Sequence, residues 1–246
     1  MKRTSVRNSP KVSRSAGEIH IVVDNSNLFI GSQNGQGINQ QQDTSVRINV
    51  GNLVAIIEQD KNSKDIKTRL VGGSTPPRTS RVWNEWEKCN YTCLLGDRSI
   101  LNREVFLDDM LHSQIQNLIL RNNSHQGNVQ QRLVLITGDG NANDNRTNFP
   151  DIVNIALNYG WTVELWSWEI SMNKKFSDIQ RRNPSKMSIN YLDQYRSKIT
   201  FKQKQQQQQQ KINNQLNSWI SPASIFVLCL GIFLCFFLIY WWNYIS

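Results

Sequence analysis

Histidine is scarce in this chain. Only His20, His112 and His125 occur among 246 residues. By pattern they fall inside a strand, in mid-helix and in a loop, so none is expected to assist an acidic site. Cysteine is nearly as rare. Cys229 and Cys235 lie in a C-terminal apolar run, and Cys89 and Cys93 have no second pair and no histidine nearby. That pattern argues against a zinc site and suits a reducing compartment. Neither G-x-G-x-x-G nor G-K-[ST] is present, which removes the two common glycine-rich phosphate loops. The basic N-terminus is not followed by an apolar run, so no signal peptide is expected.

Charge is unevenly spread. Residues 1–18 carry +4, residues 19–171 carry −3, residues 172–211 carry +8, and the last 35 residues carry none, for a total of +9. A near-neutral body therefore stands between basic flanks. Such flanks suit nucleic acid or an anionic membrane surface, and equally suit solvated tails.

The uncharged end contains "WISPASIFVLCLGIFLCFFLIYWW", residues 219–242. As a helix these residues reach about 36 Å, longer than a hydrocarbon core of about 30 Å. Trp219 stands near one end, and Tyr240, Trp241, Trp242 and Tyr244 at the other, as interfacial aromatic residues do. The expectation is a C-terminal transmembrane helix, partnered by the lipid bilayer. Lys and Arg before the span favour a tail-anchored protein with its body in the cytosol. The endoplasmic reticulum is the expected membrane, with the mitochondrial outer membrane as alternative. The sequons at Asn90, Asn122 and Asn145 are then expected to stay unmodified.

Between the flanks, short β-branched runs alternate with helical spacing. Strands are expected at 19–24, 66–74 (running into a glycine turn), 91–97, 132–139 and 161–169. Helices are expected at 49–60, at 80–90 with Val82, Trp86 and Cys89 on one face, at 106–122, and at 149–160. "KFSDIQRR" is a further candidate. The 106–122 helix is expected to bury Leu107, Met110, Leu111, Ile115, Leu118 and Ile119. Pro150 suits a helix start and Gly160 a stop. The alternation implies βαβ crossovers, a mostly parallel sheet and helices on both faces. The expected organisation is a basic tail without order (1–17), one α/β domain (18–202), a Gln-rich linker (203–218), the span (219–242) and a short tail (243–246).

Two strands end in an acid: "IHIVVDNSNL" at Asp24 and "LITGDGNAND" at Asp139. In parallel sheets, sites lie beyond the C-terminal strand ends, so both carboxylates are expected at one crevice. Asp108 and Asp109 open the 106–122 helix. Each acid has a plainer reading, as a helix N-cap for Asp24 and Asp139 and as a first-turn charge for Asp108. Converging carboxylates repel unless a cation lies between them, and an oxygen-only set suits Mg²⁺ or Mn²⁺. "DNSNL" matches the D-x-S-x-S site of adhesion-type domains only until Leu28. An aspartyl phosphotransferase would want an acid at Ser26.

Taken together, "IVVDNSNLFIGSQ", "RVWNEWEKCNYTCLLGDR", "FLDDMLHSQI", "LITGDGNAND" with the "NFPDIVNIALNYGWTVELWSWE" that follows, and "INYLDQYRSKITF" resemble the NYN family, the limkain- and LabA-type branch of PIN-like nucleases. The resemblance spans residues 18 to 202. It implies a PIN-like three-layer α/β sandwich and Mg²⁺- or Mn²⁺-dependent cleavage of RNA. It makes Asp24, Asp108 and Asp139 the catalytic, metal-holding acids, with Asn27, Asp109 and Asn141 in support. Asn141 stands where many relatives have a second acid, and "ANDNRTN" is inserted before Phe149. Asp144 is a candidate to restore that charge. Lys174, Lys175, Arg181 and Arg182, which follow the last clear strand, are the expected RNA-binding residues. The expected function is a membrane-tethered endoribonuclease; the alternative is a tethered RNA-binding or adaptor domain that does not cut.

Overall fold

Strand β1 (Glu18–Asp24) is the centre of the sheet, and its sequence says why. Residues 19 to 24 are all buried, as a strand covered on both faces requires. The computed structural model describes residues 17–35, 41–74, 81–96, 107–124, 129–141 and 146–203. After β1 come α1 (Asn25–Gln33), β2 (Val46–Ile48), α2 (Val50–Glu58), β3 (Ile66–Ser74), α3 (Arg81–Lys88), β4 (Thr92–Gly96) and α4 (Leu107–Ser124). Then follow β5 (Gln131–Ile136), α5 (Phe149–Asn158), β6 (Thr162–Ser167), α6 (Lys174–Arg182), β7 (Met187–Tyr191), α7 (Arg196–Ile199) and β8 (Thr200–Lys202).

Six strands form one sheet in the order β4-β3-β1-β5-β6-β7, and every neighbouring pair is parallel. Helices cover both faces. Ile19, Ile21 and Val23 turn towards Leu28 of α1, Leu53 and Ile57 of α2, and Trp83 and Trp86 of α3. Val22 turns the other way, towards Leu111, Ile115 and Ile119 of α4, Ile152, Val153 and Ala156 of α5, and Phe176 and Ile179 of α6. The α/β architecture expected from the alternation is therefore present. β2 and β8 form a separate two-stranded sheet.

Several local expectations need correction. Gly72 and Gly73 do not make a turn; β3 runs through both to Ser74. They are glycines because helices press on both faces. A β-carbon on Gly72 would stand 2.8 Å from Leu111 Cγ, and one on Gly73 would collide with the Trp83 ring. Met110 is 38% exposed rather than buried, because the buried stripe of α4 runs through Leu111, Ile115 and Ile119. In α3 the buried pair is Trp83 and Trp86, with Val82 and Cys89 only partly covered. Asn90 takes the left-handed conformation (φ 63°) after α3, a place asparagine tolerates, and Gly160 (φ 82°) ends α5 as expected. No helix among the described residues is long and apolar enough to cross a membrane. The basic residues 1–16, most of the linker and the apolar run 219–242 lie outside the described residues, as does Asp144.

Candidate active site

β1 has β3 on one side and β5 on the other, and the strand order reverses there. Connections leave the two C-terminal ends in opposite directions, the position at which crevices form in such sheets. Asp24, the last residue of β1, lies at that point. It is only 3% exposed. It is also the N-cap of α1: its Oδ1 accepts from the Asn27 backbone N–H at 3.0 Å. Its Oδ2 accepts from the Thr137 hydroxyl, just beyond β5, at 2.9 Å. The cap reading and the site reading thus fall on the same carboxylate. Burial, then the negative charges of Asp108 and Asp139, push its pKa up to about 7 against the pull of these two donors.

The β5 exit is fixed from several directions. Thr137 donates its backbone N–H to the Trp166 carbonyl at 3.1 Å, and its hydroxyl accepts from the Asp139 backbone N–H at 3.1 Å. Gly138 donates its N–H to Asn27 Oδ1 at 2.7 Å and accepts from the Asn173 N–H at 3.0 Å. The Gly140 carbonyl accepts from Lys175 Nζ at 2.9 Å. A β-carbon on Gly138 would stand 2.6 Å from the Ser171 carbonyl oxygen, so the backbone approach here requires glycine. Asp139 is held in turn by its own loop, with Oδ1 accepting from the Asn141 N–H at 3.0 Å. Asn141 is exposed.

Asp108 is in the first turn of α4, where its charge reaches Asp24. Asp109 is ion-paired with Arg146, so the extra acid carries its own counter-charge. Asp108 and Asp139 thus both act electrostatically on Asp24. Among the described residues, however, no group of three or more His, Cys, Asp and Glu side chains is arranged to hold a metal ion. The donor chemistry still fits a hard divalent cation: the set is oxygen-only, and a buried carboxylate is raised by two like charges that a cation would offset.

The four basic residues expected to bind RNA divide along α6. Lys174 and Lys175 begin the helix, and Lys175 reaches the Gly140 carbonyl. Arg181 and Arg182 are in its last turn, roughly 10 Å further along the axis. There Arg181 pairs with Asp178 at 3.1 Å.

Two residues at the site escaped the sequence reading. Thr137 looked like one more strand residue. His112 looked like an ordinary mid-helix position. It lies one turn beyond Asp108, 2% exposed, edge-on to Phe149 with ring centroids 4.4 Å apart. The four-residue spacing from Asp108 was the available signal.

No family model matches the chain, and no curated protein matches it. Among solved structures, a protein of unknown function from Vibrio parahaemolyticus is similar at 13% identity and a TM-score of 0.46, covering 73% of this chain and 95% of that one.

Proposed function

We propose that this chain is a PIN-like endoribonuclease of the NYN type that hydrolyses RNA phosphodiester bonds with Mg²⁺ or Mn²⁺. One observation carries the reading: a carboxylate buried at the end of the central strand is held at about pKa 7 by burial and by two further acids at the same crevice. Like charges near a buried carboxylate cost stability, and a cation between them would offset that cost. Asp24, Asp108 and Asp139 would hold the ion, which would polarise the phosphate and lower the pKa of a bound water. Thr137 and Asn27 fix Asp24 and the β5 exit relative to each other. Lys175, beside Gly140, is placed to offset phosphate charge near the acids. The apolar run 219–242 supports a tethered protein with this domain on the cytosolic side.

One observation favours the alternative, a domain that binds RNA without cutting it. No metal-holding group of acids is assembled among the described residues, and Asn141 adds no charge. Incubating the full chain with a mixed-sequence RNA pool, with Mn²⁺ or with chelator, separates the two. Cleavage that needs Mn²⁺ and is lost in both Asp24→Asn and Asp139→Asn supports the nuclease. RNA binding without cleavage, unchanged by chelator, supports the alternative.

A further inference from the structure

Arg146 reaches back from the segment beyond β5 to the start of α4, where its Nη1 pairs with Asp109 Oδ2. Asp109 follows Asp108 in the first turn of that helix, so the guanidinium is held one residue along the chain from a candidate metal-holding acid. The two residues after Arg146 are themselves fastened. The Thr147 hydroxyl stands 3.4 Å from His112 Nδ1 of α4, and Asn148 caps α5 by accepting from the Asp151 N–H at 3.0 Å. The arginine side chain is nonetheless 42% exposed, against 26% for Asp109. An ion pair this open to water contributes little to stability. A guanidinium is, however, a planar fork of five donors that fits phosphate oxygens as well as carboxylates.

Its place in the fold points the same way. α4 packs on β1, β3 and β4, and α6 packs on β7, so the exit of β5 lies between the two helices. Lys175 marks the α6 side, with Nζ at the Gly140 carbonyl. Arg146 marks the α4 side. Cations therefore stand on both flanks of the loop that carries Asp139. We propose that Arg146 is a substrate-binding residue: aimed by Asp109, its guanidinium donates to a non-bridging phosphate oxygen of RNA that crosses the β5 exit from α6 to α4. That RNA comes there at all rests on the RNA-directed function above.

Binding of the full chain to labelled single-stranded RNA is followed by fluorescence anisotropy across a salt series, in chelator so that no cleavage intervenes. Arg146→Gln should weaken binding about 5-fold or more and lower the slope of log affinity against log salt by about 0.7–1, the share of one phosphate contact. Asp109→Asn breaks the same ion pair but should tighten binding, because the acid it removes repels phosphate. Opposite signs are thus expected from two variants that lose one interaction. Loss of affinity in both would make the pair a strut and overturn the proposal, as would an unchanged slope in Arg146→Gln. Arg132, 44% exposed at the start of β5, is the charge control. Its change to Gln should leave the slope as in the parent, and a loss equal to that of Arg146→Gln would show that net charge alone acts. Should Arg146→Gln fail to fold, Asp109→Asn decides: weaker binding overturns the proposal and tighter binding supports it. A parent without affinity for RNA, in chelator and in Mn²⁺ alike, removes the RNA-directed function itself, whereas a parent that binds but ignores Arg146→Gln removes only the role of the arginine.

Discussion

The Thr137 hydroxyl ties two candidate acids together: it donates to Asp24 Oδ2 at 2.9 Å and accepts from the backbone N–H of Asp139 at 3.1 Å. A single oxygen therefore fixes the end of β1 relative to the exit of β5. Thr137→Val keeps the shape and removes both bonds. It leaves a buried carboxylate short of a donor, so destabilisation of about 1–3 kcal/mol is expected, with Thr137→Ser close to the parent. Urea unfolding of the metal-free chain measures it. A valine variant as stable as the parent would show that the tie contributes nothing.

Asp24 gives the second prediction its sign. Its pKa in the folded chain is raised to about 7, so the folded state holds its proton more tightly than the unfolded one. Its effect is therefore a loss of stability that grows as pH rises from about 4 to about 7 and then levels off. Asp24→Asn has no such loss. In chelator, the variant should match the parent near pH 4 and exceed it at pH 8, by up to about 4 kcal/mol. Denaturation midpoints across that range check it. A parent that gains stability between pH 4 and 8 relative to the variant contradicts the raised pKa.

The sheet was legible in the sequence, including its β4 edge, but not its β7 edge. β1, β5 and β6 are mostly apolar because both faces are covered, and such segments stand out. α1 does not, since it buries Gly31, Ser32 and Gln33 beside Leu28 and so shows no apolar stripe. β7 is an edge strand with only Met187 buried. The glycines of β3 pointed to a turn because the reason for them, Leu111 and Trp83 closing from opposite faces, lies in tertiary contacts far along the chain. The acids at the strand ends were readable for a similar reason: a charge after an apolar run is conspicuous. Thr137 was not, because its place shows only in the bonds it makes to Asp24 and to the Asp139 backbone.

The C-terminal run yields a prediction independent of the site. Deleting residues 219–246 should move the chain from the membrane pellet to the soluble fraction. Protease added to intact microsomes should digest the domain of the full chain. Glycosylation at Asn90, or protection of the domain, would reverse the proposed orientation.

The division along α6 makes the last prediction. Lys175 Nζ reaches the Gly140 carbonyl, next to Asp139, whereas Arg181 and Arg182 are two turns away, with Arg181 paired to Asp178. A phosphate approaching the acids meets the helix start first. Changing Lys174 and Lys175 to Gln should therefore weaken RNA binding and lower the slope of log affinity against log salt by about 1–2, close to one phosphate contact per lysine. Changing Arg181 and Arg182 to Gln should do so less, because these side chains act at longer range and through screening solvent. Fluorescence anisotropy of labelled single-stranded RNA across a salt series measures both pairs. Equal losses would mean that RNA runs along the whole helix, and a larger loss at the arginines would place the RNA path away from the crevice.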